Sequence, residues 1–180
     1  MKKTLTAIAA IGCIVMASAA AHASDGTITF TGELTAATCT ANVNNSGPDG
    51  AVTLPSTSVN VLDTAGKKAG ATSFGIALSG CSGSGGARTF FETGSTVNDA
   101  TGRLMNTITS SLGGATNVEL ELLDDAGGSI FVGGDTQYSA PYASIVNGSA
   151  NLTYAVRYYA TGTTTPGTVA SMVAYTMDYQ

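Results

Sequence analysis

The stretch that most constrains the fold of this chain is its last fourteen residues, 167–180. Side chains alternate between the two faces of a β-strand, and one face of this stretch is mostly apolar. Its members are Val169, Ser171, Val173, Tyr175, Met177 and Tyr179. The alternation predicts a long, one-sided strand. Because no further strand follows in the sequence, we expect its outer edge to need a cover.

Residues 1–23 have the features of a secretory signal peptide. Two lysines precede an apolar run over residues 5–16, which is too short to span a membrane and is followed by small residues. We place the cleavage site after Ala23, and cleavage after Ala19 or Ala21 also fits the pattern. The sequence therefore predicts an exported protein.

Removing the signal peptide changes the net charge from −5 to −7, because Lys2 and Lys3 are lost with it. This acidity argues against nucleic acid and anionic membrane surfaces as partners. The chain's single histidine, His22, is lost too. Catalytic sites that need histidine, and histidine zinc sites, are thereby excluded from the mature chain. We expect no enzyme activity, no metal and no cofactor.

Two cysteines remain in the mature chain, Cys39 and Cys81. An even number of cysteines in an exported protein favours a disulfide, which we predict between these two. A bridge closing a loop of about 43 residues is expected to stabilise the fold by roughly 4 kcal/mol. The alternative is a reactive or metal-binding pair, for which the mature chain offers no second cysteine pair and no histidine.

Three other motifs are predicted to have structural roles. The glycine-rich residues 83–86 lack the lysine of a phosphate-binding loop and are interpreted as an ordinary loop. Asp124 and Asp125 lack the spacing of a calcium loop and are expected to begin a turn. Glu119 and Glu121, a conceivable acid–base pair, are expected on the solvent face of a strand.

The middle of the chain predicts short strands separated by glycine or proline turns. The predicted strands cover residues 51–54, 58–62, 72–81, 88–92, 117–123 and 151–160. Since no helix-length amphipathic run or repeat is found, the sequence predicts an all-β sandwich.

The mature N-terminus repeats the alternation of the C-terminus. Gly26, Ile28, Phe30 and Gly32 share one face of a predicted strand in residues 24–34. Taken alone, this segment is typical of an edge strand of the same domain.

Five blocks in this order resemble the type 1-like fimbrial subunits of the chaperone–usher pathway. They are residues 26–34 followed by Cys39, residues 76–81, residues 117–124, residues 152–160, and the ending with Gly167 and Tyr179. The resemblance covers essentially the whole mature chain.

The resemblance implies an all-β, incomplete immunoglobulin-like sandwich of six strands, whose seventh strand is supplied in trans by donor-strand complementation. It divides the chain into a signal peptide (1–23), an N-terminal donor-strand extension (24–34) and a pilin domain (35–180). Donor residues would be Gly26, Ile28, Phe30 and Gly32. The groove strand that a chaperone also binds would carry Gly167, Val169, Val173, Tyr175, Met177, Tyr179 and Gln180.

The implied function is a structural subunit of a surface fimbria that supports cell adhesion. Its implied partners are a periplasmic chaperone, an outer-membrane usher, and copies of itself or related subunits. The alternative is a minor tip or adaptor subunit acting as an adhesin, for which Tyr138 and Tyr142 offer a small sugar platform. A self-complete secreted sandwich is the third interpretation. One departure is that cleavage after Ala23 leaves only two residues before Gly26.

Overall fold

The computed structural model describes residues 26–32 and 38–180. The predicted signal peptide, its candidate cleavage sites and the outer residues of the predicted donor segment lie outside the described residues. The chain divides into two units, Met1–Leu34 and Thr35–Gln180. In the first unit, residues 26–32 form neither helix nor strand, and Ile28 and Phe30 are 78% and 86% exposed.

The second unit is built from two antiparallel β-sheets. Its strands are β1 (Thr40–Val43), β2 (Lys68–Ser79), β3 (Gly85–Phe91), β4 (Val97–Asn98), β5 (Arg103–Met105), β6 (Val118–Leu123), β7 (Ala143–Ile145), β8 (Ala150–Ala160) and β9 (Tyr175–Tyr179). The larger sheet has the order β1-β2-β8-β6-β5-β4, and the smaller has the order β7-β3-β9. Short 3-10 helices cover Val59–Val61, Ser110–Leu112 and Asp135–Ser139. No helix among the described residues is long and apolar enough to cross a membrane.

The core lies where the inward faces of the two sheets meet. On β2, Phe74, Ile76 and Leu78 are buried, as the period-two alternation predicts. The rings of Phe74, Phe91 and Tyr154 contact one another with centroid separations of 5.1–6.4 Å. Two of these contacts, Phe74–Phe91 and Phe91–Tyr154, are edge-to-face and add to the stability gained from burial.

The all-β sandwich is confirmed, and four predicted strands are present with shifted ends. These are the strands predicted at residues 72–81, 88–92, 117–123 and 151–160, now β2, β3, β6 and β8. The predictions at 51–54 and 58–62 are wrong. Residues 51–58 form no regular element, and the Ser58 hydroxyl accepts a hydrogen bond from the Asn60 N–H at 3.3 Å, which begins a 3-10 helix instead.

The glycine-rich loop predicted at residues 83–86 is only half correct. β3 begins at Gly85, and Gly85 and Gly86 pair with Ile145 and Ser144 of β7. Pairing with a strand distant in sequence overrides the local preference of glycine for a turn. Asp124 does begin a turn, because its side chain accepts a hydrogen bond from the Gly128 N–H at 2.6 Å.

A disulfide joins Cys39 and Cys81. Cys39 directly precedes β1, and Cys81 lies two residues beyond the end of β2. Because β1 and β2 pair from Thr40↔Ser79 onward, the disulfide closes the end of this strand pair.

The predicted solvent-facing position of Glu119 and Glu121 is wrong. Their side chains are only 9% and 3% exposed, because the neighbouring strands β5 and β8 bring Arg103 and Arg157 against them. The Arg157–Glu121 nitrogen–oxygen distance is 2.6 Å, and Lys68 lies 3.6 Å from the same carboxylate oxygen. Alternation correctly assigns these glutamates to the outer face, but it does not show that cations from other strands cover them.

Candidate strand-binding groove

The side chains of residues 168–180 divide by parity, as the sequence predicts. The odd-numbered residues from 169 to 179 are half-buried, and all the even-numbered residues except Asp178 are exposed. The apolar members that pack against the core are Val169, Val173, Tyr175, Met177 and Tyr179. Only residues 175–179 are a regular strand, which is shorter than the predicted strand over 167–180. The C-terminal segment therefore keeps one apolar face toward the interior along its whole length.

One edge of this segment is held by the main chain of the same domain. From Thr168 to Ala174, the hydrogen-bond partners come from loops. Thr168 O accepts from the Ala115 N–H at 3.0 Å, and Ala170 O accepts from the Thr107 N–H at 2.8 Å. Ala174 O accepts from the Glu92 N–H at 2.9 Å. Further on, β9 pairs with β3, and the Gln180 N–H donates to Gly86 O at 3.0 Å. All these main-chain bonds use even-numbered residues of the segment.

The other edge is free within the part of the chain that the structure describes. In an antiparallel pair, successive residues point their N–H and C=O groups alternately toward and away from the partner. Because Gln180 is hydrogen-bonded to Gly86, the main-chain N–H and C=O groups of the odd-numbered residues of β9 point away from β3. No main-chain hydrogen bond is found for the odd residues of 169–179 among the described residues. The odd-numbered residues therefore have two properties together. Their main-chain N–H and C=O groups point to the free edge, and their side chains point to the interior.

A second set of half-buried apolar residues packs on the same core near β1, the edge strand of the larger sheet. It comprises Cys39, Ala41, Val52 and Leu54. The Tyr175 hydroxyl donates to Pro48 O at 2.9 Å and so connects this region to β9. Burial raises the pKa of the Tyr175 hydroxyl, and Asp49 adds to the shift. The candidate groove comprises these two half-buried apolar sets, which pack on the same core.

A cavity of about 620 Å³ lies at the start of the C-terminal segment. Gly167 and Val169 line it on one side, and Val59, Leu62 and Tyr158 contribute apolar surface. Burial raises the pKa of the Tyr158 hydroxyl. Serine and threonine residues, among them Ser56, Thr57 and Thr165, complete the lining, so the cavity is of mixed polarity.

Polar contacts on the outer face fasten β9 to the smaller sheet. The Arg88 guanidinium contacts the Asp178 carboxylate at 2.7 and 2.8 Å, and the Tyr142 hydroxyl donates to the same oxygen at 3.0 Å. Arg88 also donates to the carbonyl of Tyr138, whose ring stacks on Phe90 with centroids 4.8 Å apart. The two tyrosines considered as a sugar platform therefore lie around Arg88, and Tyr142 belongs to this fastening.

The structure brings together the predicted groove residues along one segment, although Gln180 lies on its exposed face. The predicted donor residues Ile28 and Phe30 belong to the other unit and expose their apolar side chains. Sequence reasoning predicted a strand over residues 51–54, but Val52 and Leu54 pack on the core from a segment without regular structure. It also missed the ion pair between Asp178 and Arg88, because these two residues lie 90 positions apart in the sequence.

A sandwich with an apolar, unpaired edge along its C-terminal segment is the architecture of a subunit that is completed by another chain, as in pilins. Comparison with known proteins gives the family. The type-1 fimbrial protein family (FimA, "Type-1 fimbrial protein, A") matches residues 54–180. The chain is 44% identical over 171 residues to the major fimbrial subunit SMF-1 of Stenotrophomonas maltophilia, covering 92% of this chain and 99% of that one. It is 36% identical over 178 residues to the F17 fimbrial protein of Escherichia coli, covering 94% and 96% of the two chains.

Solved structures agree with this relationship. A type I fimbria protein and antigen of Burkholderia pseudomallei superimposes with a TM-score of 0.52 at 26% identity, over 79% of this chain and 97% of that one. The P pilus rod subunit PapA shares the fold, with a TM-score of 0.60 at 17% identity over 79% and 99% of the two chains. The chain belongs to the type-1 fimbrial protein family and is a structural subunit of a fimbria, with an incomplete immunoglobulin-like fold.

Proposed function

We propose that this chain polymerises into a surface fimbria by donor-strand exchange, in which residues 24–34 of one copy fill the groove of the next. The observation that carries the proposal is the free edge along residues 169–179, where unpaired main-chain groups and half-buried apolar side chains belong to the same residues. An inserted strand satisfies both at once, by main-chain pairing and by filling the floor with alternate side chains.

The N-terminal segment has the chemistry of such a strand. Ile28 and Phe30 share one face and are largely exposed, so their burial in a neighbour contributes about 1.5–3 kcal/mol each. Each new main-chain hydrogen bond adds about 1 kcal/mol. Together these contributions favour a long-lived contact between subunits.

Before assembly, the same groove needs a temporary cover, because an apolar free edge promotes aggregation. A periplasmic chaperone that lends a strand supplies this cover, and an outer-membrane usher then releases the subunit into the growing fimbria. The predicted signal peptide and the disulfide fit this route through an oxidising compartment.

A structural role is better supported than the alternative of a tip or adaptor adhesin. The relative that is 44% identical is named a major fimbrial subunit and is matched over 99% of its length. Tyr142, one of the two tyrosines considered for a receptor site, is hydrogen-bonded to Asp178 and lies against Arg88.

The decisive experiment places a charge on the inward face of the donor segment. Phe30→Asp buries a carboxylate without a partner and is expected to stop fibre formation while leaving the chaperone complex intact. Thr29→Asp places the same charge on the opposite face and is the matched control, expected to form fibres. Electron microscopy and recovery of the chaperone complex are the two measurements. Normal fibres from Phe30→Asp would exclude the donor role, and loss of its chaperone complex would place Phe30 in the subunit's own core.

A further inference from the structure

Ser171 is the one residue on the inward face of residues 169–179 that has neither an aliphatic nor an aromatic side chain. Its Oγ is buried and has no hydrogen-bond partner among the described residues. The other buried side-chain atom without a hydrogen bond in that part of the chain, Arg103 Nε, lies 3.6 Å from a Glu121 oxygen and so has a charged neighbour. An unsatisfied buried hydroxyl is destabilising compared with alanine, so its presence calls for a partner that arrives later.

The opposite edge of the same segment shows what such a hydroxyl does. Both the N–H and the Oγ1 of Thr107 donate to Ala170 O, at 2.8 and 2.9 Å. The Thr96 Oγ1 donates to Met172 O at 2.6 Å. A carbonyl oxygen has two lone pairs, so a neighbouring hydroxyl can supplement a main-chain bond to it. On the paired edge, hydroxyl groups of neighbouring residues reinforce the main-chain pairing in this way.

We propose that Ser171 is a specificity-determining residue of the groove, whose Oγ donates to a main-chain carbonyl of the inserted strand next to a glycine of that strand. This rests on the proposed donor-strand function. Ser171 is half-buried as a residue and lies at the free edge, so rotation between staggered side-chain rotamers turns its hydroxyl toward an incoming strand. A bulky side chain opposite Ser171 would cover the hydroxyl and leave it unsatisfied.

The donor segment of this chain presents glycines at the required spacing. When Ile28 and Phe30 lie opposite Val173 and Tyr175, a glycine lies opposite Ser171 in either strand direction. It is Gly26 if the donor runs parallel to β9 and Gly32 if it runs antiparallel. Because the spacing Gly-x-Ile-x-Phe-x-Gly is symmetric, a glycine lies opposite Ser171 whichever way the donor strand runs.

The test uses the full-length chain in its chaperone complex and a labelled synthetic peptide of residues 24–34. The peptide replaces the chaperone, and its release rate is then measured by competition with unlabelled peptide. Ser171→Ala is expected to release the peptide about five- to tenfold faster, the loss of one hydrogen bond. Ser171→Cys keeps the side-chain shape at slightly larger volume but is a weak donor, and is expected to behave like Ser171→Ala. Ser144→Ala, the same change on the opposite edge strand of the smaller sheet, is expected to match the unmodified chain.

Peptides with Gly26→Ala or Gly32→Ala complete a double-mutant cycle. One of these peptides should be released faster from the unmodified chain than the original peptide, and its release rate should not change further with Ser171→Ala. Which of the two peptides behaves in this way also reports the strand direction. Equal release rates from the unmodified chain and from Ser171→Ala would overturn the role of Ser171 but not the donor-strand function. A release rate from Ser171→Cys as slow as that from the unmodified chain would do the same. Failure of the peptide to bind the unmodified chain would overturn the donor-strand function itself.

Discussion

Gly167 shows at the residue scale how a missing side chain sets the path of the C-terminal segment. A Cβ at this position would lie 2.3 Å from the Ala115 nitrogen and 2.5 Å from the Gly114 carbonyl carbon. These are main-chain atoms next to the bridge between Gly114 and Thr168, so they cannot move aside without breaking it. The glycine is required by this close approach, and the free edge begins two residues later.

We therefore expect Gly167→Ala to destabilise the assembled subunit by about 1–3 kcal/mol, the usual effect of overpacking. Gly94→Ala is the matched control, because a Cβ at Gly94 would have no neighbouring atom within 4 Å, and this change is expected to be neutral or slightly stabilising. Guanidinium denaturation of purified fibres measures both. Equal midpoints for the two variants would show that the close approach is not needed.

The buried Glu121 predicts a dependence of stability on pH. Burial raises the pKa of its carboxyl, but the hydrogen bond from Ser129 and the charges of Arg157 and Lys68 outweigh this, so the net pKa lies below its ordinary value. A carboxyl with a lowered folded-state pKa contributes stability that is fully present above its unfolded-state pKa. That stability is lost as the pH falls through the folded-state pKa.

Glu121→Gln is accordingly expected to cost about 3 kcal/mol at pH 7, because it removes the buried charge that pairs with the partly buried Arg103 and Arg157. The difference from the unmodified chain should shrink as the pH is lowered below the ordinary carboxyl pKa. Denaturation of fibres across the acid range measures it, with Glu92→Gln as a control outside the cluster. A difference that stays constant with pH would contradict the assignment.

The same glutamates show where prediction from sequence ends. The parity of Glu119 and Glu121 correctly places them on the outer face of β6, and the apolar Leu120 and Leu122 on the inner face. Whether an outer face is open depends on what other strands place over it. Arg103 and Arg157 come from β5 and β8, and such pairing is not encoded in any local pattern.

At the scale of the element, the C-terminal segment has two edges with different partners. The even-numbered amides of 176–180 bond to β3, and the odd-numbered amides face the free edge. Alternation in the sequence predicts the inward face correctly over residues 169–179. It overestimates the length of the strand, because residues 168–174 are hydrogen-bonded to loops and not to another strand. These loop partners lie 50 or more residues away in the sequence.

This geometry predicts an alternating pattern of hydrogen exchange. In the monomeric full-length chain, the amides of Thr176, Asp178 and Gln180 should exchange slowly, and those of Tyr175, Met177 and Tyr179 should exchange fast. Adding the peptide of residues 24–34 should protect the second set and leave the first nearly unchanged. Residue-resolved exchange by NMR provides the measurement. Uniform exchange along β9, or peptide binding without new protection, would contradict the free edge.

At the scale of the whole molecule, the disulfide ties the beginning of the domain to its first long strand. Its half-cystines are 42 positions apart, so replacing both by serine is expected to destabilise the fold by about 4 kcal/mol through the larger entropy of the unfolded chain. Yield of folded subunit and its denaturation midpoint measure this. A mass two hydrogens below that of the dithiol form confirms the bridge in the native protein, and alkylation of both cysteines without reduction would contradict it.

The distribution of charge has a consequence for the assembled polymer. Lys68, Arg88, Arg103 and Arg157 are all engaged in ion pairs, and Lys67 is the one remaining basic side chain in the described residues. Each added subunit therefore brings fixed negative charge with little positive charge at the surface to offset it. A filament of such subunits is a polyelectrolyte, surrounded by counterions and repelling its neighbours over a screening length of about 8 Å at physiological ionic strength. Filaments should stay apart in dilute buffer and bundle side by side as the salt concentration rises.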